Sequence, residues 1–147
     1  RYQKPVGDYA VEFDALVGAL RCRQTDAEWS YRYLHEHSIV ESLEVAEGLT
    51  ARIPEPALLF ALKLHSGRLA DARDLVIVGS EADLDSIEQQ IHRGNPNQLA
   101  EQIERVLAAL ERDEFADSFK GVFQQKELPE DNIDELIQFL RTQLDRR

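Results

Sequence analysis

The sequence predicts an α+β fold, with a short mixed or antiparallel sheet in the first third and a helical bundle in the remainder. Two observations support this class. Apolar and polar residues alternate with a period of two near the start of the chain, whereas beyond residue 54 apolar residues recur at helical spacing. The 147 residues are enough for one core. We therefore expect one domain or fragment, with a strand-containing part (1–53) and a helical part (54–147).

The alternation in residues 8–20, "DYAVEFDALVGAL", predicts a strand with one buried face. The residues expected to face the core are Val11, Phe13 and Ala15. Asp14 then lies on the opposite face, where we expect its carboxylate to be open to a cleft.

Two further elements complete the first third. In residues 26–37, Trp29 and Tyr33 stand at helical spacing and predict a short amphipathic helix. Residues 38–54 contain two extended runs around Gly48, which predict a hairpin at the sheet edge, with a loop as the open alternative.

The helical part is predicted to begin at Pro54 and Pro56, because proline is tolerated in the first turn of a helix. We expect this helix to continue to about Val78. Gly67 lies inside it and costs about 1 kcal/mol relative to alanine, which predicts a kink or a close backbone approach.

Four more helices are expected. Ser80 with Asp83 would cap one that ends near Arg93, and Asn95-Pro96 would cap the next. The last begins at Pro129, and a shorter one lies within "DEFADSFKGVF". Apolar stripes on helices 96–112 and 129–146 indicate faces that bury against a core or a partner.

Charged residues interrupt the apolar segment 61–78, "ALKLHSGRLADARDLVIV". At about 100° per residue, Lys63, Gly67, Asp71 and Asp74 share one face of a continuous helix. One interpretation is a solvated stripe with ion pairs worth a few tenths of a kcal/mol each. The other interpretation is that these charged residues line a functional site. His65 lies toward the apolar side, which predicts a packed side chain.

The segment "IPEPALLFALKLHSGRLADARDLV" resembles the P-E-x-L-L-x-x-K-L-x-A-x-R-x-x-D-x-x-D-L motif of nucleotidyltransferase-fold proteins, including minimal nucleotidyltransferases and abortive-infection type IV toxins. "VEFDAL" is similar to the strand that carries the third catalytic carboxylate in that family. The resemblance implies Mg²⁺ and a nucleoside triphosphate as cofactors. It also implies that Asp14 is a catalytic residue and metal ligand, and it implies a nucleotide site formed by Lys63, Arg68, Asp71 and Asp74.

The family's Gly-Ser turn and Asp-x-Asp pair do not precede Asp14 here. "VGSEADLDSI" contains Gly79-Ser80 and Asp83-x-Asp85, but helix capping explains these residues. The chain begins at Arg1 and has no methionine, so we expect the C-terminal portion of a longer protein. Because one carboxylate cannot organise two metal ions, we expect no transfer by these residues alone.

The amino-acid composition limits the kinds of binding partner to be expected. Twenty-eight acidic against seventeen basic residues give a net charge of −11, which disfavours duplex nucleic acid. No apolar run is long enough to span a membrane. The single cysteine, Cys22, and the lack of a signal peptide predict a cytoplasmic location.

The alternative function is a non-enzymatic interaction or antitoxin-like module, which would bind a protein partner or a second copy through its helical stripes.

Overall fold

A computed structural model describes residues 2–6, 9–13, 18–42, 50–68 and 70–146. These residues form short strands followed mainly by helices, which confirms the predicted α+β class. The strands are β1 (Tyr2–Val6), β2 (Tyr9–Phe13), β3 (Ala19–Arg21), β4 (Glu28–Ser30), β5 (Ser38–Ser42) and β6 (Thr50–Pro54). The helices are α1 (Tyr31–Glu36), α2 (Pro56–Ser66), α3 (Asp71–Ser80), α4 (Leu84–Ile91), α5 (Pro96–Leu110), α6 (Phe115–Phe123) and α7 (Glu130–Asp145).

The strands pair as three antiparallel two-stranded sheets: β1 with β2, β3 with β4, and β5 with β6. The hairpin predicted for residues 38–54 is confirmed, and Ile39 lies opposite Ile53 in its register. It forms a sheet of its own rather than the edge of a larger one. Its predicted turn at Gly48 lies outside the described residues.

The helix predicted for residues 26–37 begins later than expected. Residues 28–30 belong to β4, and α1 starts at Tyr31. The Ser30 hydroxyl accepts a hydrogen bond from the Tyr33 amide at 3.1 Å and so caps the helix. Trp29 is buried on a strand, because pairing of β4 with β3 overrides the helical spacing of the aromatic residues.

The single helix predicted from Pro56 to Val78 is wrong, since the segment forms two helices. Pro56 starts α2 as expected, but α2 ends at Ser66 and α3 begins at Asp71. Gly67 has φ of +62°, a left-handed conformation that ends a helix and that glycine adopts without a side-chain penalty. A Cβ at Gly67 would also meet the side chain of Gln102, so the expected close approach is confirmed.

The later helices begin near the predicted positions. Asn95 caps α5 by accepting from the amides of Asn97 and Gln98 at 3.0 and 3.3 Å. Asp83 caps α4, accepting from the Ser86 amide, whereas Ser80 is the last residue of α3 and does not cap α4. Pro129 directly precedes α7 as expected.

One hydrophobic core joins β4 and helices α2 to α7. The apolar stripes of α5 and α7 lie in this core, with buried members Leu99, Ile103, Val106, Leu110, Ile133, Leu136 and Leu140. Trp29, Phe60 and Phe119 are its largest fully buried side chains. Across the described ranges, every helix is too short or too polar to cross a membrane.

Candidate functional site

The charged residues of the α2 to α3 segment form one compact polar cluster. The Lys63 Nζ lies 2.6 Å from Asp74 Oδ2 and 3.3 Å from Asp71 Oδ1. The Ser66 hydroxyl, which has a single proton to donate, lies within hydrogen-bonding distance of the Lys63 carbonyl oxygen and of the Asp71 carboxylate. We call these four residues the Lys63 cluster. The side chains of Lys63, Asp71 and Asp74 are 26%, 13% and 34% exposed, so the cluster is open to solvent at one side.

The helix break at Gly67 assembles this cluster. Along a straight helix, Lys63 and Asp74 would be about 16 Å apart, because eleven residues each rise 1.5 Å. After the break, the first turn of α3 lies beside the last turn of α2, and the ammonium reaches both carboxylates. The carboxylates lie at the positive N-terminal end of α3 and the lysine at the negative C-terminal end of α2, which favours each charge.

The carboxylates also keep Lys63 charged. Burial by itself would lower the pKa of Lys63, but the hydrogen bond to Asp74 and the nearby charges of Asp74 and Asp71 outweigh it, so the pKa is raised. One ammonium and two carboxylates give the cluster a formal charge of −1. It therefore offers a cationic and an anionic surface within a few ångströms, which suits a ligand that carries both signs of charge.

Arg68 does not join the cluster. The Arg68 backbone carbonyl accepts from the Asp71 amide at 2.9 Å, but its side chain lines a separate small cavity beside Arg105. Asp14, the predicted catalytic carboxylate, lies outside the described residues, so its role and its cleft stay predictions.

The donor set of the cluster does not by itself suit Mg²⁺. Asp71 and Asp74 supply hard oxygen donors, but both are bonded to Lys63, and Mg²⁺ needs six ligands in an octahedron. Within the described residues, no group of three or more His, Cys, Asp or Glu side chains is placed to hold a metal ion. We therefore derive no chemical step through a metal from these residues.

Ser66 and Gln102 are site residues that the sequence analysis did not identify. A serine three residues after Lys63 can bond back to its carbonyl oxygen, and this spacing was the available signal for Ser66. Gln102 is buried on α5, and its side chain lies against the backbone of Gly67. A buried glutamine at an otherwise apolar helix position was the available signal.

Comparison of the chain with protein-family models, with curated proteins and with solved structures gives no match. No residue role is therefore transferred from a relative. A function for the chain is therefore supported by the geometry of the Lys63 cluster and by the motif resemblance of residues 9–78.

Proposed function

We propose that this chain is the C-terminal part of a nucleotidyltransferase-like protein, which transfers a nucleoside monophosphate from a nucleoside triphosphate to an acceptor. The observation that supports this proposal is the Lys63 cluster, in which a protonated lysine is held by two carboxylates at a helix break. A magnesium-bound triphosphate carries cationic and anionic groups side by side, and the cluster presents the complementary pair.

In this proposal Lys63 contacts the phosphates, because an ammonium is a compact charge suited to a polyphosphate. The acceptor hydroxyl oxygen attacks the α-phosphorus, the bond to pyrophosphate breaks, and the hydroxyl proton leaves to a base or to solvent. Lys63 stabilises the negative charge that develops on the departing pyrophosphate. Asp71 and Asp74 orient Lys63, Arg68 lies beside the same helix end, and Asp14 is the candidate metal ligand. Mg²⁺ would supply charge neutralisation on the phosphates.

A structural role predicts a different outcome for the same residues. The cluster also ties α2 to α3, and an ion pair of this exposure stabilises a fold by only about 0 to 1 kcal/mol. If the cluster only joined the two helices, loss of Lys63 would change stability without changing nucleotide binding. Stability and nucleotide binding must therefore be measured on the same variants.

The transfer reaction itself tests the proposal. We expect the full-length protein to incorporate label from an α-labelled nucleoside triphosphate when Mg²⁺ is present and to stop when the metal is chelated. The isolated 147 residues should transfer nothing, because the family's Gly-Ser turn and Asp-x-Asp pair are not among them. Inactivity of the full-length protein towards nucleic acid, protein and small-molecule acceptors would contradict the enzyme. Transfer by the isolated chain would contradict the assignment of its site.

An interaction module is the second candidate, and one observation favours it. Tyr31 and Val40 are 63% and 57% exposed, and Ile39 and Ile53 are also exposed on the β5–β6 hairpin. The apolar stripes of α5 and α7 lie in the core and are not open to a partner, so a partner would use this apolar surface instead. A full-length protein that transfers no nucleotide and whose hairpin becomes protected from solvent on association would favour this candidate.

A further inference from the structure

A polar cavity lies between α3, the end of α5 and the start of α6, and none of the Lys63 cluster residues lines it. Its volume is about 470 Å³. Arg73, Arg112, Glu114 and Ser118 provide its polar lining, and the buried Phe115 and Ala109 provide its apolar lining. A cavity of this size falls within the range that accommodates small-molecule ligands.

Arg73 is held in place at this cavity without a carboxylate. Its Nη1 donates to the Ser118 hydroxyl at 2.8 Å and approaches the Ser118 carbonyl oxygen at 3.5 Å. Ser118 is a neutral partner, and among the described residues no carboxylate forms an ion pair with Arg73 within 4.0 Å. The remaining N–H groups of the guanidinium are available to an anion, because a guanidinium has five donors.

Arginines without carboxylate partners are concentrated in this region. Of the eleven arginines in the described residues, four pair within 4.0 Å with a carboxylate that the structure also describes, and seven have no such partner. Four of those seven line this cavity or the small neighbouring cavity that shares Ala109. They are Arg68, Arg73, Arg105 and Arg112. This concentration contrasts with the net charge of −11 of the whole chain.

We propose that the cavity beside Arg73 and Arg112 binds the phosphate group of a small phosphorylated ligand. Arginine presents a planar fork of donors that matches the oxygens of a phosphate, and Ser118 adds a hydroxyl donor. Glu114 also lines the cavity, so the lining carries two positive charges and one negative charge, which suits a single phosphate group better than a long polyanion. The acidic remainder of the chain repels nucleic acid, which also favours a small ligand. This proposal does not depend on nucleotide transfer.

The test is a titration of the full chain with inorganic phosphate, a sugar phosphate and an oligoribonucleotide, followed through the amide resonances of Phe115 and Ser118. We expect saturable shifts with the two small ligands. Arg73→Ala and Arg112→Ala should each weaken binding by about tenfold or more, the usual effect of losing a charged hydrogen bond. Arg32→Ala is the matched control, because it removes the same charge from an exposed ion pair on α1 and should leave binding unchanged.

Three other outcomes would contradict the proposal. Absence of saturation by the small ligands, or unchanged affinity in folded Arg73→Ala and Arg112→Ala proteins, would show that the cavity holds no phosphate. An oligoribonucleotide that binds more tightly than the small ligands, with an affinity that falls steeply with salt, would identify a nucleic-acid surface instead. The Arg73→Lys variant tests whether binding needs only the positive charge or also the planar fork of donors of arginine. It keeps the charge but loses the fork, so we expect an affinity between those of the parent and of Arg73→Ala.

Discussion

Replacing Gly67 with alanine should lower the free energy of unfolding by about 2 to 3 kcal/mol, because two costs add. Gly67 has φ of +62°, where an L-residue pays about 1 to 2 kcal/mol. The new Cβ would also collide with Oε1 of Gln102, whose side chain is buried and must move. Urea denaturation of the variant and the parent measures the loss.

Two companion variants separate these costs. In a Gln102→Ala background the steric conflict disappears, so Gly67→Ala should cost only the conformational part of about 1 to 2 kcal/mol. Gly121→Ala is the control, since Gly121 lies within α6 with open space around it. Alanine there should raise stability by up to about 1 kcal/mol. If Gly67→Ala were as well tolerated as Gly121→Ala, the helix break would not depend on glycine.

Replacing His65 with alanine should lower the free energy of unfolding by about 3 kcal/mol, through lost packing and two lost hydrogen bonds. The ring is fully buried and lies edge-on to Trp29, with 5.2 Å between centroids. Its Nε2–H donates to the Ile91 carbonyl oxygen at 2.9 Å, so Nδ1 accepts from the Thr25 hydroxyl at 2.7 Å. The neutral ring thus joins α2 to the loop before β4 and to the end of α4.

The same residue makes stability depend on pH. Burial is the main cause that lowers the pKa of His65 below its ordinary value of 6.5. As the pH falls below 6.5, the unfolded chain takes up a proton at this residue before the folded chain does, so folding stability is lost. The stability difference between the parent and His65→Ala should therefore narrow from about pH 7.5 to about pH 5.5. The exposed His35→Ala is the control, and a constant difference for His65→Ala would contradict a buried neutral ring.

Local signals in the sequence were sufficient to predict where most of the helices begin. Pro56 and Asn95 occupy the first-turn and capping positions that their backbone chemistry favours, and these choices involve only neighbouring residues. Trp29 was placed on a helix because its spacing to Tyr33 fits a helix by coincidence. Pairing of β4 with β3 decides its conformation, and that pairing cannot be seen in a short window.

The candidate site was predicted in part. The motif identified Lys63, Asp71 and Asp74, and the structure brings these three together. On one face of a continuous helix, as predicted, Lys63 would lie about 12 to 16 Å along the axis from the two carboxylates. A glycine in a helix is often tolerated, so the complete break at Gly67 was not predictable from that residue alone. The buried Gln102, thirty-five residues further along the chain, lies against this break.

The affinity of the full-length protein for magnesium-bound ATP, measured by calorimetry on Lys63→Ala, tests the central claim most directly. Lys120→Ala on α6 is the matched control, and Lys63→Arg keeps the charge. We predict that Lys63→Ala weakens binding by about tenfold or more, the effect of losing one charged contact, and that unfolding free energy changes by no more than about 1 kcal/mol. An unchanged affinity in a folded Lys63→Ala protein would contradict the nucleotide site and leave Lys63 only its ion pairs between α2 and α3.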